Sequence, residues 1–127
     1  MILQTHLKID ERLSGEVVLL KNDFAKVVLE TTQEMVADNY GLVHGGFIFS
    51  AADYAAMAAI NHPNVVLAKS EVKFLAPTKL GDSVILEAKV SSKDGIKASV
   101  EVVGKIEEKE VFKGTFFTAT LENHILA

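Results

Sequence analysis

The chain has 127 residues, 49% of them hydrophobic, with a formal charge of −4 and no cysteine. That length suits one domain, residues 1–127, able to bury roughly two-thirds of its unfolded surface. The charge gives no nucleic-acid footprint and no polybasic membrane patch, and the missing thiols exclude disulfides, thiolate metal sites and a cysteine nucleophile.

Residues 1–13 place Ile2, Leu3, Leu7, Ile9 and Leu13 at weakly helical spacing, an N-terminal extension or short helix. They lack the apolar core of a signal peptide, so a soluble, cytoplasmic protein is expected. Gly15 to Leu20 and Phe24 to Thr31 predict two strands about a turn at Lys21-Asn22-Asp23. Residues 32–43 read as a loop or short helix leading into a central helix over about 45–60. That helix stops at Asn61-His62-Pro63-Asn64, where Pro63 cannot continue it.

Strands follow. Val65 to Ala76 sets Ala68, Ser70, Val72 and Phe74 on one side against Lys69, Glu71 and Lys73. Pro77 to Asp82 turns the chain, and Ser83 to Ser91 points Val84, Leu86, Ala88 and Val90 inward. Lys93-Asp94-Gly95 makes a hairpin turn into the alternation of Ile96, Ala98, Val100, Val102, Gly104 and Ile106. Glu107 to Glu110 turns again, and Val111 to Leu121 closes the series.

The central helix is the informative element. It is apolar on every side, which marks a buried helix, yet it carries one carboxylate, Asp53. A carboxylate there must be paired, hydrogen-bonded or held for chemistry, because burying it alone costs several kcal/mol or raises its pKa. The helix opens on His44-Gly45-Gly46, whose free N–H groups can face a ligand. A meander of antiparallel strands has one hydrophobic face to cover, and this helix needs cover all round. The economical solution is an α+β fold with a curved antiparallel sheet wrapped around the helix, and a second copy over the side left open.

Gly41-x-x-His44-Gly45-Gly46 with Asp53 after six further residues, Phe74-Leu75-Ala76-Pro77 followed by Leu80-Gly81-Asp82, and this strand order together resemble the hotdog-fold acyl-CoA thioesterases of the PaaI-like branch. The similarity covers roughly residues 13–121. Where that branch usually has an Asn three residues before the matched Gly41, this chain has Asp38, with Asn39 beside it. Where it tends to have Ser or Thr near the start of the third strand, this chain has Leu67, and the nearest hydroxyl is Ser70.

The resemblance implies hydrolysis of a thioester such as acyl-CoA, with coenzyme A entering as part of the substrate and no other cofactor. The N–H groups of Gly45 and Gly46, aided by the helix dipole, would hold the developing oxyanion. Asp53 would activate water or attack the carbonyl itself. Asp38 and Asn39 either cap their loop or position water or carbonyl. His44 is structural or orients substrate, and Ser70 is an inward hydroxyl or a contact to substrate. Phe47, Tyr54 and Met57 are core residues or line an acyl pocket. Lys69, Lys73, Lys79 and Lys97 are solvated strand charges or meet CoA phosphates. His6, His62 and His124 lack metal-ligand spacing.

Eight residues separate Gly45 from Asp53, about 12 Å along a helix. One thioester carbon cannot reach both in one chain, so a shared site requires a homodimer, or a tetramer built from it. The alternatives are a non-catalytic acyl-CoA-binding protein acting as sensor or regulator, and a hydratase pairing His44 with Asp53 between subunits.

Overall fold

A computed structural model describes all of residues 1–127. The elements run α1 (Glu11–Ser14), β1 (Glu16–Lys21), β2 (Phe24–Glu30), a 3-10 turn at Gln33–Met35, α2 (Gly45–Ile60), β3 (Val65–Phe74), β4 (Ser83–Asp94), β5 (Lys97–Ile106) and β6 (Lys109–Thr120). The strands form one antiparallel sheet in the order β1-β2-β4-β5-β6-β3. The sheet curls around α2, which is the hotdog arrangement expected from the sequence.

The core sits between that helix and the inner face of the sheet. Ala51, Ala52, Ala55, Ala56 and Ala58 of α2 are buried against Val27 and Leu29 of β2, Val84 and Leu86 of β4, and Val100 and Val102 of β5. The run of alanines lets the helix axis lie close to the strands. Asn61 ends the helix in the left-handed region at φ 54°, its N–H donating to the Met57 carbonyl at 2.8 Å.

Four local features differ from the pattern read in the sequence. The β4–β5 hairpin turns at Gly95-Ile96 rather than Lys93-Asp94-Gly95, because β4 runs on to Asp94 past a bulge between Val90 and Ser92, and Ile96 is exposed rather than inward. Within residues 1–13 only Glu11–Leu13 are helical, in a helix that continues to Ser14. The residues before α1 form an irregular strap clipped to the far end of α2, where Asn61 accepts from the Gln4 N–H at 2.7 Å and donates to the Ile2 carbonyl at 2.9 Å. The strand β3 carries a bulge between Leu67 and Lys69. Ala68 is therefore turned outward and Leu67 takes its inward place, while Lys69 returns to the outer face with its ammonium 5.2 Å from the centre of the Phe117 ring. The β5–β6 turn is only Glu107-Glu108, with Glu107 at φ 56°, so β6 starts at Lys109 rather than Val111.

The sheet has two unpaired edges, β1 and β3. The ten-residue β3 edge lies beside the start of α2, where Phe74 meets Gly45. An uncovered edge of that length is a template for further strand pairing.

Candidate active site

The approach to α2 is stitched down by backbone bonds. The His44 N–H donates to the Met35 carbonyl at 2.8 Å, Val43 to Thr78 at 2.9 Å, and Leu80 to Gly41 at 2.8 Å. Gly41 makes this path with φ +83°, a backbone conformation that side chains other than glycine rarely adopt. His44 then enters the helix in extended conformation, and its side chain makes no capping bond. The first N–H groups of a helix have no partner within it, so those of Gly45 and Gly46 remain free to hold an acceptor. They open beside a cleft of about 360 Å³ lined by Leu42, Gly45, Ile48, Phe74, Pro77 and Val111.

Each glycine has a close neighbour. A Cβ on Gly45 would sit 3.2 Å from the ring of Phe74, and one on Gly46 would sit 2.7 Å from His44 Nε2. The imidazole thus folds over the first turn, edge-on to Phe47 with ring centres 6.0 Å apart. Phe74, more than half exposed, leans from the end of β3 onto Gly45 and edge-on to Phe112. Sequence reasoning placed Phe74 among inward strand residues and missed its seat at the helix start. The signal available was Gly45 itself, the residue type that a ring in that position requires.

Further along α2, Asp53 is mostly buried, and its Oδ1 atom is fully buried with no hydrogen-bond partner. Burial pushes its pKa up to about 6 from an ordinary 3.8, by disfavouring the charged form. Such a carboxyl is half ionised near pH 6 and ionised at neutral pH, as a general base must be.

The remaining residues singled out in the sequence are placed as follows. Asp38 is exposed and turns its Oδ1 back on its own loop, accepting from the Tyr40 N–H at 2.9 Å and the Leu42 N–H at 3.2 Å. Asn39 is exposed beside it. Ser70 is half-buried on the inner side of β3, opposite Phe116 of β6. Phe47 is half-buried next to His44, and Met57 is fully buried in the core. Tyr54 does not line the helix-tip cleft, because the helical turn carries its side chain toward the N-terminal strap, where its ring stacks on His6.

Gly45 and Asp53 stand at the two ends of eight helical residues, about 12 Å apart, so one chain does not bring the free amides and the carboxyl to a common point. Among the acidic and imidazole side chains no group of three is placed to hold a metal ion. No helix is long and apolar enough to cross a membrane.

Comparison with known proteins places this geometry. A family model described as the thioesterase superfamily matches residues 40–113, the stretch from the helix approach through β3, β4 and β5 into β6. Among curated relatives, methylthioribose-1-phosphate isomerase of Aquifex aeolicus is 54% identical over 95% of this chain, which corresponds to 26% of that protein. Transcription factor FapR of Caldanaerobacter subterraneus is 32% identical over 97% of this chain and 64% of its own length. The chain thus spans only part of both relatives. Among solved structures, an uncharacterized protein from Pyrococcus horikoshii superimposes with a TM-score of 0.99 at 46% identity, over 100% of this chain and 98% of that one. A mutant of the phenylacetic acid degradation protein PaaI from Thermus thermophilus does so with a TM-score of 0.80 at 26% identity, over 87% and 96%.

Proposed function

Since the chain belongs to the thioesterase superfamily, we propose that it is an acyl-CoA thioesterase whose two reacting groups come from different copies in a homodimer. The observation that carries this reading is the unpartnered, buried Oδ1 of Asp53 on a helix whose own start offers free amides. Nothing in the chain satisfies that oxygen, and leaving a buried polar atom unpaired costs about 1–3 kcal/mol. A water or thioester held against it makes the atom useful rather than merely costly.

Two copies joined edge to edge through β3 continue the sheet across a two-fold axis. Each helix start then faces the partner's Asp53. The thioester carbonyl oxygen accepts from Gly45 and Gly46 N–H of one protomer. Asp53 of the other takes a proton from water as the water oxygen attacks the carbonyl carbon. The tetrahedral intermediate collapses with cleavage of the C–S bond, and the proton held by Asp53 neutralises the departing thiolate. Direct attack by Asp53, through an acyl-enzyme anhydride, uses the same geometry. A single turnover in oxygen-18 water tests for the second route, because label in the Asp53 carboxyl group requires an anhydride opened by water at the aspartyl carbon.

Thiol release from a panel of acyl-CoA esters, with wild type and Asp53→Asn side by side, tests the function. Turnover that depends on Asp53 supports it, and tight binding without turnover overturns it.

That second outcome defines the other reading, a non-catalytic acyl-CoA-binding module that senses or regulates. Two observations favour it: the likeness to transcription factor FapR, and the Asp38 carboxylate engaged by its own loop rather than turned to the cleft.

A further inference from the structure

The free edge of β3 carries a charge pattern that hydrolysis itself does not use. Past the bulge between Leu67 and Lys69, the strand runs regularly from Lys69 to Phe74. Its outer face presents Lys69, Glu71 and Lys73, all exposed, in the order plus, minus, plus. Lys69 lies 3.7 Å from Glu71, whereas Lys73 takes part in no ion pair within the chain. At the end of the strand, Phe74, Leu75 and Leu42 are exposed apolar side chains beside the helix start.

A two-fold axis that continues an antiparallel sheet sets one residue of the edge strand against its own copy. The residues before and after it meet crosswise, and outer side chains face outer side chains. The charges then sort the registers. Centred on Glu71, the pairing opposes Glu71 to Glu71 and Lys73 to Lys69; centred on Lys69 or Lys73, it opposes lysine to lysine. Like charges directly opposite destabilise a strand pair. Centred on Ser70, the ladder runs into the bulge, because Leu67 has to meet Lys73. Centred on Phe74, half of the pairing falls beyond the end of the strand. The remaining centre is Val72, which sets Glu71 of each copy opposite Lys73 of the other.

The central helix selects the same residue. Two antiparallel copies of α2 bring Gly45 to the partner's Asp53 when the axis crosses near Phe49, midway between them. Phe49 lies about 6 Å along the helix from Gly45. Phe74 marks the level of Gly45 on β3, and about 6 Å back along a strand is roughly two residues, which is Val72. Moving the centre by one residue slides the copies by two, about 7 Å, and parts the helix start from the partner's Asp53.

Building on the edge-to-edge dimer proposed above for hydrolysis, we propose that Glu71 and Lys73 set its register. The dimer is centred on Val72, and Glu71 of each copy lies between its own Lys69 and the partner's Lys73. The two residues act as positioning residues, because the register they select is the one that aligns each helix start with the partner's Asp53.

Cross-linking reads the register independently of turnover. The chain has no cysteine, so Val72→Cys puts its only thiol at the centre, where paired Cα atoms lie about 4.5–5.5 Å apart, within disulfide reach. Mild oxidation is expected to give a covalent dimer from Val72→Cys and none from Ser70→Cys, whose two copies are about 13 Å apart in this register. Glu71→Lys and Lys73→Glu change exposed side chains and spare the core. Each alone is expected to weaken the dimer about tenfold or more at low salt in sedimentation, because like charges then face each other at two symmetric positions. Mixed together, the two variants are expected to form a heterodimer as tight as wild type, since both facing pairs are again of opposite sign. A covalent dimer from Ser70→Cys but not Val72→Cys, unchanged dimer affinity in both charge variants, no preference for the heterodimer, or a wild-type chain that stays monomeric at high micromolar concentration each overturns the proposal. Thiol release by wild type separates it from the hydrolytic reading. A Val72→Cys cross-link with no wild-type turnover supports the register and removes hydrolysis, whereas Asp53-dependent turnover with the cross-link elsewhere overturns the register alone.

Discussion

Replacing Asp53 with Asn converts its burial into a measurable dependence of stability on pH. In the folded chain its carboxyl has a pKa of about 6, against an ordinary 3.8. The folded state therefore holds this proton more tightly than the unfolded state does. The stability linked to it is fully present below about pH 3.8 and is lost as pH rises through about 6. The gap between those two values is worth about 3 kcal/mol, a large fraction of the 5–15 kcal/mol typical of whole domains.

Asn cannot ionise, so the variant lacks this loss. Denaturant unfolding of both proteins at several pH values between 4 and 8, at one protomer concentration, isolates the term as the change in their stability difference. Relative to wild type, Asp53→Asn should gain about 2.4 kcal/mol on going from pH 4 to pH 8, the rest of the term being lost already at pH 4. A difference that stays constant across that range would refute the burial argument for Asp53.

Asp53→Asn should also cut turnover of acyl-CoA esters by about a hundredfold or more, since it removes the base; near-normal thiol release would exclude Asp53 from the reaction. In wild type, kcat/KM should climb with pH and level off above about pH 6, the pKa of that carboxyl, and a flat profile from pH 5 to 8 would contradict its role. Gly45→Pro should keep the fold once the half-exposed Phe74 ring, 3.2 Å from the added Cβ, gives way by a few tenths of an ångström, because proline suits the first helical position and His44 already has the extended conformation that a following proline demands. It removes one oxyanion donor, so the rate should fall about a hundredfold. Mixing Gly45→Pro chains with Asp53→Ala chains should restore activity in hybrid dimers that hold one intact site, and no recovery in verified heterodimers would sink the shared site. Asp38→Ala should lower stability by about 1 kcal/mol through the two loop N–H groups it strands, with little effect on turnover; the reverse pattern would move Asp38 into the chemistry.

Periodicity alone located the strands and the central helix, because burial on one face imposes an alternation of two along a strand and exempts a core helix from any polar face. It also made Asp53 conspicuous, since an ionisable group among alanines has no bland surface to occupy. The same pattern misplaced Ala68, because a bulge depends on which strand lies alongside, and β6 is some fifty residues away in the chain.

What the tertiary structure decided was direction and company. Tyr54 and Asp53 are neighbours in sequence, yet a helical turn sends one toward His6 and the strap and the other to a place where its Oδ1 meets no partner. Phe74 comes to Gly45 across 29 residues, because β3 returns past the helix start, whereas the Asp38 bonds reach only two and four residues along its own loop. Residue type and spacing determine which groups are unusual. Where an unusual side chain points, and what remains unpaired around it, depends on contacts between segments far apart in the chain.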